Sequence, residues 1–387
     1  MSVYIETYYE SLNKWGEELC GDTAEVVRTQ DFVVATLADG LGSGVKANIL
    51  STLTSKIIVS MLAGGATIEE ALETIVNTLP VCAQRGIAYC TFTMLQMFPD
   101  GSTYIAEFDN PELVILRQGK LLELPAQKRP MSGKMIYERR FTALPEDTFV
   151  VFSDGVIHAG VGTKALPLGW KRRNAAAFLE EKFRPCVSAA TLTKLLLSAC
   201  SGLYEGRPGD DTTVLTVRIR QPRPLNLMVG PPADPEKDVD YVRKFVALPG
   251  LHAICGGSTS QMASRILGRT MSVNLDYDDP NVPPTAAMEG MELVAEGVLT
   301  LTKTLQYLDE FCRQGGSAVI AGKNGAAQLA RMLVEECTNL HMMLGTARNP
   351  AHQNPKLSLD YDVKMRVLKK IARHMEAMGK DVQIEYY

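Results

Sequence analysis

The sequence has no Cys-x-x-Cys pair. Its eight cysteines, Cys20, Cys82, Cys90, Cys186, Cys200, Cys255, Cys312 and Cys337, are scattered through 387 residues. That spacing argues against a zinc ribbon or a disulfide framework and for reduced thiols. There is no excess of basic charge either: 40 Lys and Arg against 44 Asp and Glu give a net charge of −4. A nucleic-acid or anionic-membrane footprint is thereby excluded. No run approaches the ~18–20 uninterrupted apolar residues of a membrane span. The opening, MSVYIETYYESLNKWGEELCGD, carries acids early and lacks the basic-then-apolar pattern of a secretion signal. A cytoplasmic protein touching neither nucleic acid nor membrane is expected. What remains is an ordinary globular composition, 46% hydrophobic and 22% charged, with no internal repeat or low-complexity tract. The length suggests two domains.

Residues 1–220 mix two periods. Short β-branched or aromatic stretches, among them DFVVATLAD, AYCTFTMLQMF, STYIAEFD, ELVILRQGKLLEL, DTFVVFSDG and TTVLTVRIR, are bounded by Gly, Pro, Asn or Asp and read as strands. Helical patterns lie at about 43–63, 67–80 and 174–203. PDG at 99–101 joins two strand-like runs as a hairpin. A largely antiparallel, strand-rich domain with helices outside fits this half. Five prolines in RQPRPLNLMVGPPADPEKD, 220–238, then mark a boundary. Residues 221–387 alternate strand and helix: LNLMV, a helix near 235–247, LHAICGG, SQMASRILG, SVNLDY, a long helix at 289–312, and SAVIAG leading into a helix at 325–338. That alternation predicts an α/β domain with a parallel, doubly wound sheet.

Acids gather at strand ends in the first half. VVATLAD runs into Asp39-Gly40, TFVVFSD into Asp154-Gly155, GDDTTVLTV opens on Asp210-Asp211, and Asp22 stands in CGDTAEV. Carboxylates so placed repel one another and raise each other's pKa unless a cation holds them. Oxygen ligands alone suit the hard ions Mg²⁺ or Mn²⁺. The glycine loop in VVATLADGLGSGVKANIL raises a competing dinucleotide reading. Its GLGSG has the wrong spacing for G-x-G-x-x-G, and the following residues continue as one helix, so the metal reading is preferred. An isolated Asp-Gly pair is otherwise an ordinary turn.

LADGLGSG, VVFSDGV and GDDTTVL, in that order, resemble the protein phosphatase 2C (metal-dependent phosphatase) family. More narrowly they are similar to its bacterial branch typified by the stage II sporulation protein E and the stress-response regulatory phosphatases, over residues 1–220. The resemblance implies an α-β-β-α sandwich, mostly antiparallel sheets flanked by helices, and a serine/threonine phosphatase using two divalent ions, Mn or Mg. It implies that Asp39 bridges both ions, that the Gly40 carbonyl and Asp22 serve one, and that Asp154 and Asp210 hold the other. Asp211 then takes an outer place. The substrate would be a phosphorylated protein, an anti-sigma-factor antagonist being the branch's usual one. His158 is either a proton donor to the leaving oxygen or merely a first-turn residue. Cys82 and Cys90 are either redox-sensing or inert thiols. The helical pair after Asp39 offers apolar surface for a homodimer.

In the second half, Gly256, Gly257, Ser258 and Thr259 open a helix after a strand, where free amides make an anion site. Asp276 stands 20 residues past Gly256, near the end of the next strand, as a ribose-binding acid would. A small anionic ligand or nucleotide, or a plain Ser/Thr-capped turn, both satisfy this pattern. From a different class of function, a non-catalytic regulatory or scaffold protein that binds phosphoprotein or such a ligand is the alternative to an enzyme.

Overall fold

The computed structural model describes residues 3–78, 90–274, 279, 281–314, 317–347 and 358–387. The chain divides into two compact units, Met1–Gln221 and Pro222–Tyr387.

The first unit carries strands β1 (Tyr4–Leu12), β2 (Asp22–Arg28), β3 (Val33–Gly40), β4 (Cys90–Met97), β5 (Ser102–Phe108), β6 (Val114–Arg117), β7 (Lys120–Leu121), β8 (Gln127–Met131), β9 (Lys134–Thr142), β10 (Thr148–Phe152) and β11 (Thr212–Arg220). Its helices are α1 (Gly44–Ala63), α2 (Ile68–Thr78), α3 (Asp154–His158), α4 (Lys171–Lys182) and α5 (Ala189–Leu203). Two antiparallel sheets form, ordered β1-β11-β10-β6-β7 and β2-β3-β4-β5-β9-β8 among the described residues. Strand alternation divides their side chains between layers. Val33, Ala35 and Leu37 of β3 meet Phe149 and Val151 of β10 and Leu215, Val217 and Ile219 of β11 in one core between the sheets. Val34 and Ala38 face the other way, onto Ile58, Val59 and Leu62 of α1 and Leu72 and Ile75 of α2. Val150 and Phe152 lie against Leu179 of α4 and Leu192 and Leu196 of α5. The layers therefore run helix, sheet, sheet, helix.

Local chemistry sets several boundaries. Thr67 and Glu70 form a reciprocal capping box at α2: the Glu70 carboxylate accepts from the Thr67 amide (2.8 Å), and the Thr67 hydroxyl from the Glu70 amide (3.2 Å). The helical pattern read over 174–203 splits into α4 and α5 around Pro185, which cannot continue a helix. Strands β1, β8 and β9 carry few uninterrupted apolar alternations and were not expected. Helix α1 is long and apolar enough to cross a membrane by length and composition, with a mean hydropathy of 1.2, although no uninterrupted apolar run stood out in the sequence. In this fold Ala47, Ile58, Val59 and Leu62 bury it on the sheet.

The second unit contains β12 (Leu225–Val229), α6 (Asp238–Ala247), β13 (Leu251–Cys255), α7 (Gly257–Leu267), β14 (Ser272–Val273), β15 (Ala286–Ala287), β16 (Leu293–Ala295), α8 (Val298–Gln314), α9 (Gly325–Arg331), β17 (Asn339–Leu344), α10 (Ser358–Ala377) and β18 (Asp381–Tyr386). Strands β16, β13, β12, β17 and β18 pair in parallel, whereas β14 and β15 add an antiparallel edge. The sheet is mixed, not wholly parallel as expected. The described part of SVNLDY forms only the exposed edge β14, because Ser272 and Val273 have no second layer to bury them. The third parallel strand is β16, which the sequence placed inside a helix from 289; that helix starts at Val298. SAVI at 317–320 is a 3₁₀ turn.

Phe149 is fully buried and its ring centroid lies 5.7 Å from that of Phe141. Phe149→Ala should cost about 3–5 kcal/mol through lost burial and the cavity left behind. Val161→Ala, at a position 55% exposed, should stay within about 0.5 kcal/mol. Urea denaturation followed by intrinsic fluorescence compares the two, and equal losses would contradict this layering.

Candidate metal centre

The apolar interior between the two sheets gives way to carboxylates at one end. Register puts them there: β2 and β3 pair with Asp22 directly opposite Asp39, and β3 and β4 pair Asp39 with Thr91 and Gly40 with Cys90. Asp154 is the first residue of α3, immediately beyond β10, and Asp210 and Asp211 lie in the turn that leads into β11. All five aspartates line one cavity of about 650 Å³, together with Lys14, Leu41, Gly42, Thr91 and Asp109.

Two glycines make the approach possible. A Cβ on Gly40 would sit 2.2 Å from the Ala47 carbonyl oxygen of α1, and one on Gly155 would sit 2.2 Å from the Asp211 carbonyl oxygen. Neither crossing admits a side chain, so each Asp-Gly pair brings its acid to a place where two backbones meet. Tyr204 holds the second crossing by donating to the Gly155 carbonyl oxygen at 2.7 Å.

The aspartates differ in what they already bind. Asp211 is buried and accepts from the amides of Lys14 and Gly21, both at 2.9 Å, so its two oxygens hold the β1–β2 loop. Asp22 is only 5% exposed, and its Oδ2 has no hydrogen-bond partner. Asp154 and Asp210 are partly open, with 44% and 41% of their side chains exposed.

Burial pushes the Asp39 carboxyl up to about 9, with further upward pressure from Asp22, Asp154 and Asp210. Burial likewise lifts Asp22 to about 7, against the Ser153 and Thr213 hydroxyls, which favour its charged form. Asp154 is raised by burial and then by Asp210. Cys20 and Cys90, close by, are driven up to about 12 chiefly by burial and remain thiols. Cys82 lies outside the described residues.

Oxygen-only donors, a buried carboxylate oxygen without a partner, and acids that resist ionising together fit a hard divalent cation. Among the described residues, however, no three His, Cys, Asp or Glu side chains close into a group ready to hold a metal ion. The acids surround a shared space without closing into such a group.

His158 does not reach this space. It is exposed on α3, with Nε2 4.0 Å from Asp154 Oδ2, and it is not among the lining residues. Lys14 and Asp109 were not singled out from the sequence. Lys14 places its ammonium 3.6 Å from Asp210 Oδ1 and is the cationic residue among the described lining. Asp109 is an acid immediately after β5, with φ at 49°. The strand-end logic that found the other acids would have found it too.

In the second unit, Gly256 caps α7 with φ at 137°. The Thr259 hydroxyl is buried and accepts from the Gly230 amide at 3.0 Å, whereas Ser258 is exposed. The Glu296 carboxylate stands 3.0 Å from where a Cβ on Gly257 would lie. An anion at this helix start therefore meets a like charge. Asp276 lies outside the described residues.

Residues 29–220 match the sequence family described as stage II sporulation protein E (SpoIIE). The chain is similar to the phosphatase domain of SpoIIE from Bacillus subtilis, solved with a fragment of its regulatory domain: 20% identity over 57% of this chain and 63% of that one, with a TM-score of 0.49. The match thus spans less than two thirds of that solved chain. RsbX, solved in complex with magnesium, is 18% identical over 56% of this chain and 96% of its own, at a TM-score of 0.41. The RsbU and RsbW domains of a Mycobacterium tuberculosis protein are 17% identical over 64% of this chain and 71% of theirs, at 0.45. No curated protein sequence matches the chain.

Without metal, Asp22 and Asp39 bind protons more tightly when folded than at their ordinary value of 3.8. The folded state therefore holds the extra protons, and stability falls as pH rises from about 4 through 7 for Asp22 and through 9 for Asp39. In chelator, the melting midpoint should decline across that window, and Asp39→Asn should flatten the decline. Identical pH profiles for the two proteins in scanning fluorimetry would disprove the crowding.

Proposed function

Because residues 29–220 carry a SpoIIE-type domain of the PP2C phosphatase family, we propose that the protein is a metal-dependent serine/threonine phosphatase acting on a phosphorylated protein in bacterial signalling. The observation that carries this reading is the ring of aspartates around one cavity, with Asp22 opposite Asp39 and an oxygen of Asp22 unpartnered. Asp22, Asp39 and the Gly40 carbonyl would hold one ion, and Asp39, Asp154 and Asp210 a second, Mg²⁺ or Mn²⁺ by donor chemistry. When bound, such ions make water a competent nucleophile near neutral pH and offset the charge on a phosphoryl group.

The chain's own contribution is positional. Asp39 sits where both groups of acids can share it, and Asp211 fixes the loop that carries Gly21 and Asp22. Lys14 is placed to meet a phosphoryl oxygen and, until then, lies beside Asp210. Among the described residues no cysteine lines the cavity, and attack by water rather than by an enzyme thiol fits that lining. His158 is left without a role in proton transfer in this reading.

The second unit is proposed as an accessory domain for a small anionic ligand or nucleotide. The parallel order β16-β13-β12-β17-β18, which reverses direction of winding between β12 and β17, supports the doubly wound reading and a crevice at those strand ends. Exposed Val45, Ile49 and Leu53, four residues apart on α1, support a homodimer. A non-catalytic binding protein is the second reading, favoured by the absence of a ready-made ligating group among the described residues.

Phosphate release from a phosphothreonine peptide and from p-nitrophenyl phosphate should require Mn²⁺ or Mg²⁺. Asp39→Asn and Asp210→Asn should each lower it by roughly 100-fold or more, as loss of transition-state stabilisation does. Lys14→Met should lower kcat/KM about tenfold, mainly through KM, if it binds phosphate before and during the reaction. Calorimetric Mn²⁺ binding by a folded protein that releases no phosphate would favour the binding-protein reading instead.

A further inference from the structure

Helices α8 and α10 pack against each other in the second unit, and one contact between them has the makings of an activated thiol. Cys312 Sγ lies 3.5 Å from His374 Nδ1, and His374 Nε2 lies 2.8 Å from Asp309 Oδ1. Asp309 and Cys312 are three residues apart on α8, hence on one face, and His374 of α10 bonds both. An ionised carboxylate only accepts hydrogen bonds, so Asp309 fixes the hydrogen of His374 on Nε2. Nδ1 is left with its lone pair toward the thiol. This is the relation of nucleophile, base and orienting acid that activates cysteine elsewhere in protein chemistry.

We propose that Cys312 is a peroxide-reactive modification site, with His374 as its proton acceptor and Asp309 as the residue that positions His374. Cys312 is partly exposed, so a small oxidant can reach it. The other cysteines offer a contrast. Cys200 and Cys255 are buried, and burial pushes their thiols up to about 12. Cys186 is exposed, but no imidazole contact is seen there among the described residues. One effect opposes the assignment: Cys312 is in the last turn of α8, where the helix carbonyls disfavour an anion. The imidazolium formed by the same proton, its Nδ1 3.5 Å from sulfur, acts against that effect.

The step balances without a further reactant. The thiol proton passes to Nδ1, and the sulfur pair attacks one oxygen of hydrogen peroxide. An S–O bond forms as the O–O bond breaks, giving a sulfenic acid. The departing hydroxide takes the proton held on His374 and leaves as water. Sulfur is oxidised by two electrons and the peroxide is reduced by two.

The test uses the full chain, with Cys186 as reference thiol in the same tube. Hydrogen peroxide at one equivalent, followed by dimedone and peptide mass spectrometry, should mark Cys312 ahead of Cys186. With iodoacetamide at pH 7, the Cys312 to Cys186 labelling ratio should fall about tenfold in His374→Gln, as expected when a thiolate loses its cationic partner. Should that variant melt early, Asp309→Asn decides by the same ratio, since its half-exposed side chain contributes little packing. A ratio unchanged in the properly folded variant, or dimedone on both cysteines alike, would overturn the assignment.

Discussion

Asp22 and Asp39 face each other across the β2–β3 ladder, and the first unit is organised around what that pairing costs. Like charges opposite one another weaken a sheet, and here the two carboxylates also border an apolar core, where burial disfavours their charge. A folding unit built only for stability would put valine and threonine at these places. The remaining structure tolerates the conflict because β3 is buried on both faces, with Leu37 and Ala38 each fully enclosed. The acids stand at one end of the ladder, Asp22 as the first residue of β2 and Asp39 as the last but one of β3. Stability is concentrated a few residues away from where it is given up.

The same end of the sandwich shows how precise placement is kept without regular secondary structure. The loop after β1 has no ladder of its own there; Asp211 supplies one, taking the amides of Lys14 and Gly21 on separate oxygens. That single buried carboxylate links the start of β11 to the strand carrying Asp22. It also explains why two adjacent aspartates, Asp210 and Asp211, face different tasks: one is inward and bonded to backbone, the other partly open beside Lys14.

The acids were legible in the sequence because each ends or precedes an apolar strand run, and such runs are the strongest local signal a sheet protein gives. Lys14 was not legible. Its position depends on a loop folded by Asp211, 197 residues away in sequence, and no local pattern encodes that. Asp109 was legible in principle, hidden only because its Asp-Asn-Pro segment also reads as an ordinary turn. His158 shows the reverse failure: proximity in sequence to Asp154 suggested a chemical role, but a five-residue helix turns it outward. In the second unit, short β16 and the late start of α8 were lost for the same reason. Three residues bounded by other apolar positions, Leu293 to Ala295, have no period of their own and become a strand because β13 and β15 lie on either side of them.

Crowded carboxylates also join metal affinity to stability. Whatever the acids cost in the absence of an ion is recovered when an ion neutralises them, so part of the binding free energy is relief of a strain already present in the fold. A site assembled this way need not be preformed to bind well, and the absence of a closed ligating group among the described residues is compatible with that. It does require that the acids be carried by elements unable to move far apart. Asp22 and Asp39 meet this condition through neighbouring strands, and Asp154 through the crossing at Gly155, where a Cβ has no room. Asp210, in a turn and open to solvent, meets it least. Among the four acids it is therefore the one whose position an ion held in the proposed way would most readily adjust, while the Asp22–Asp39 pair would set where that ion sits.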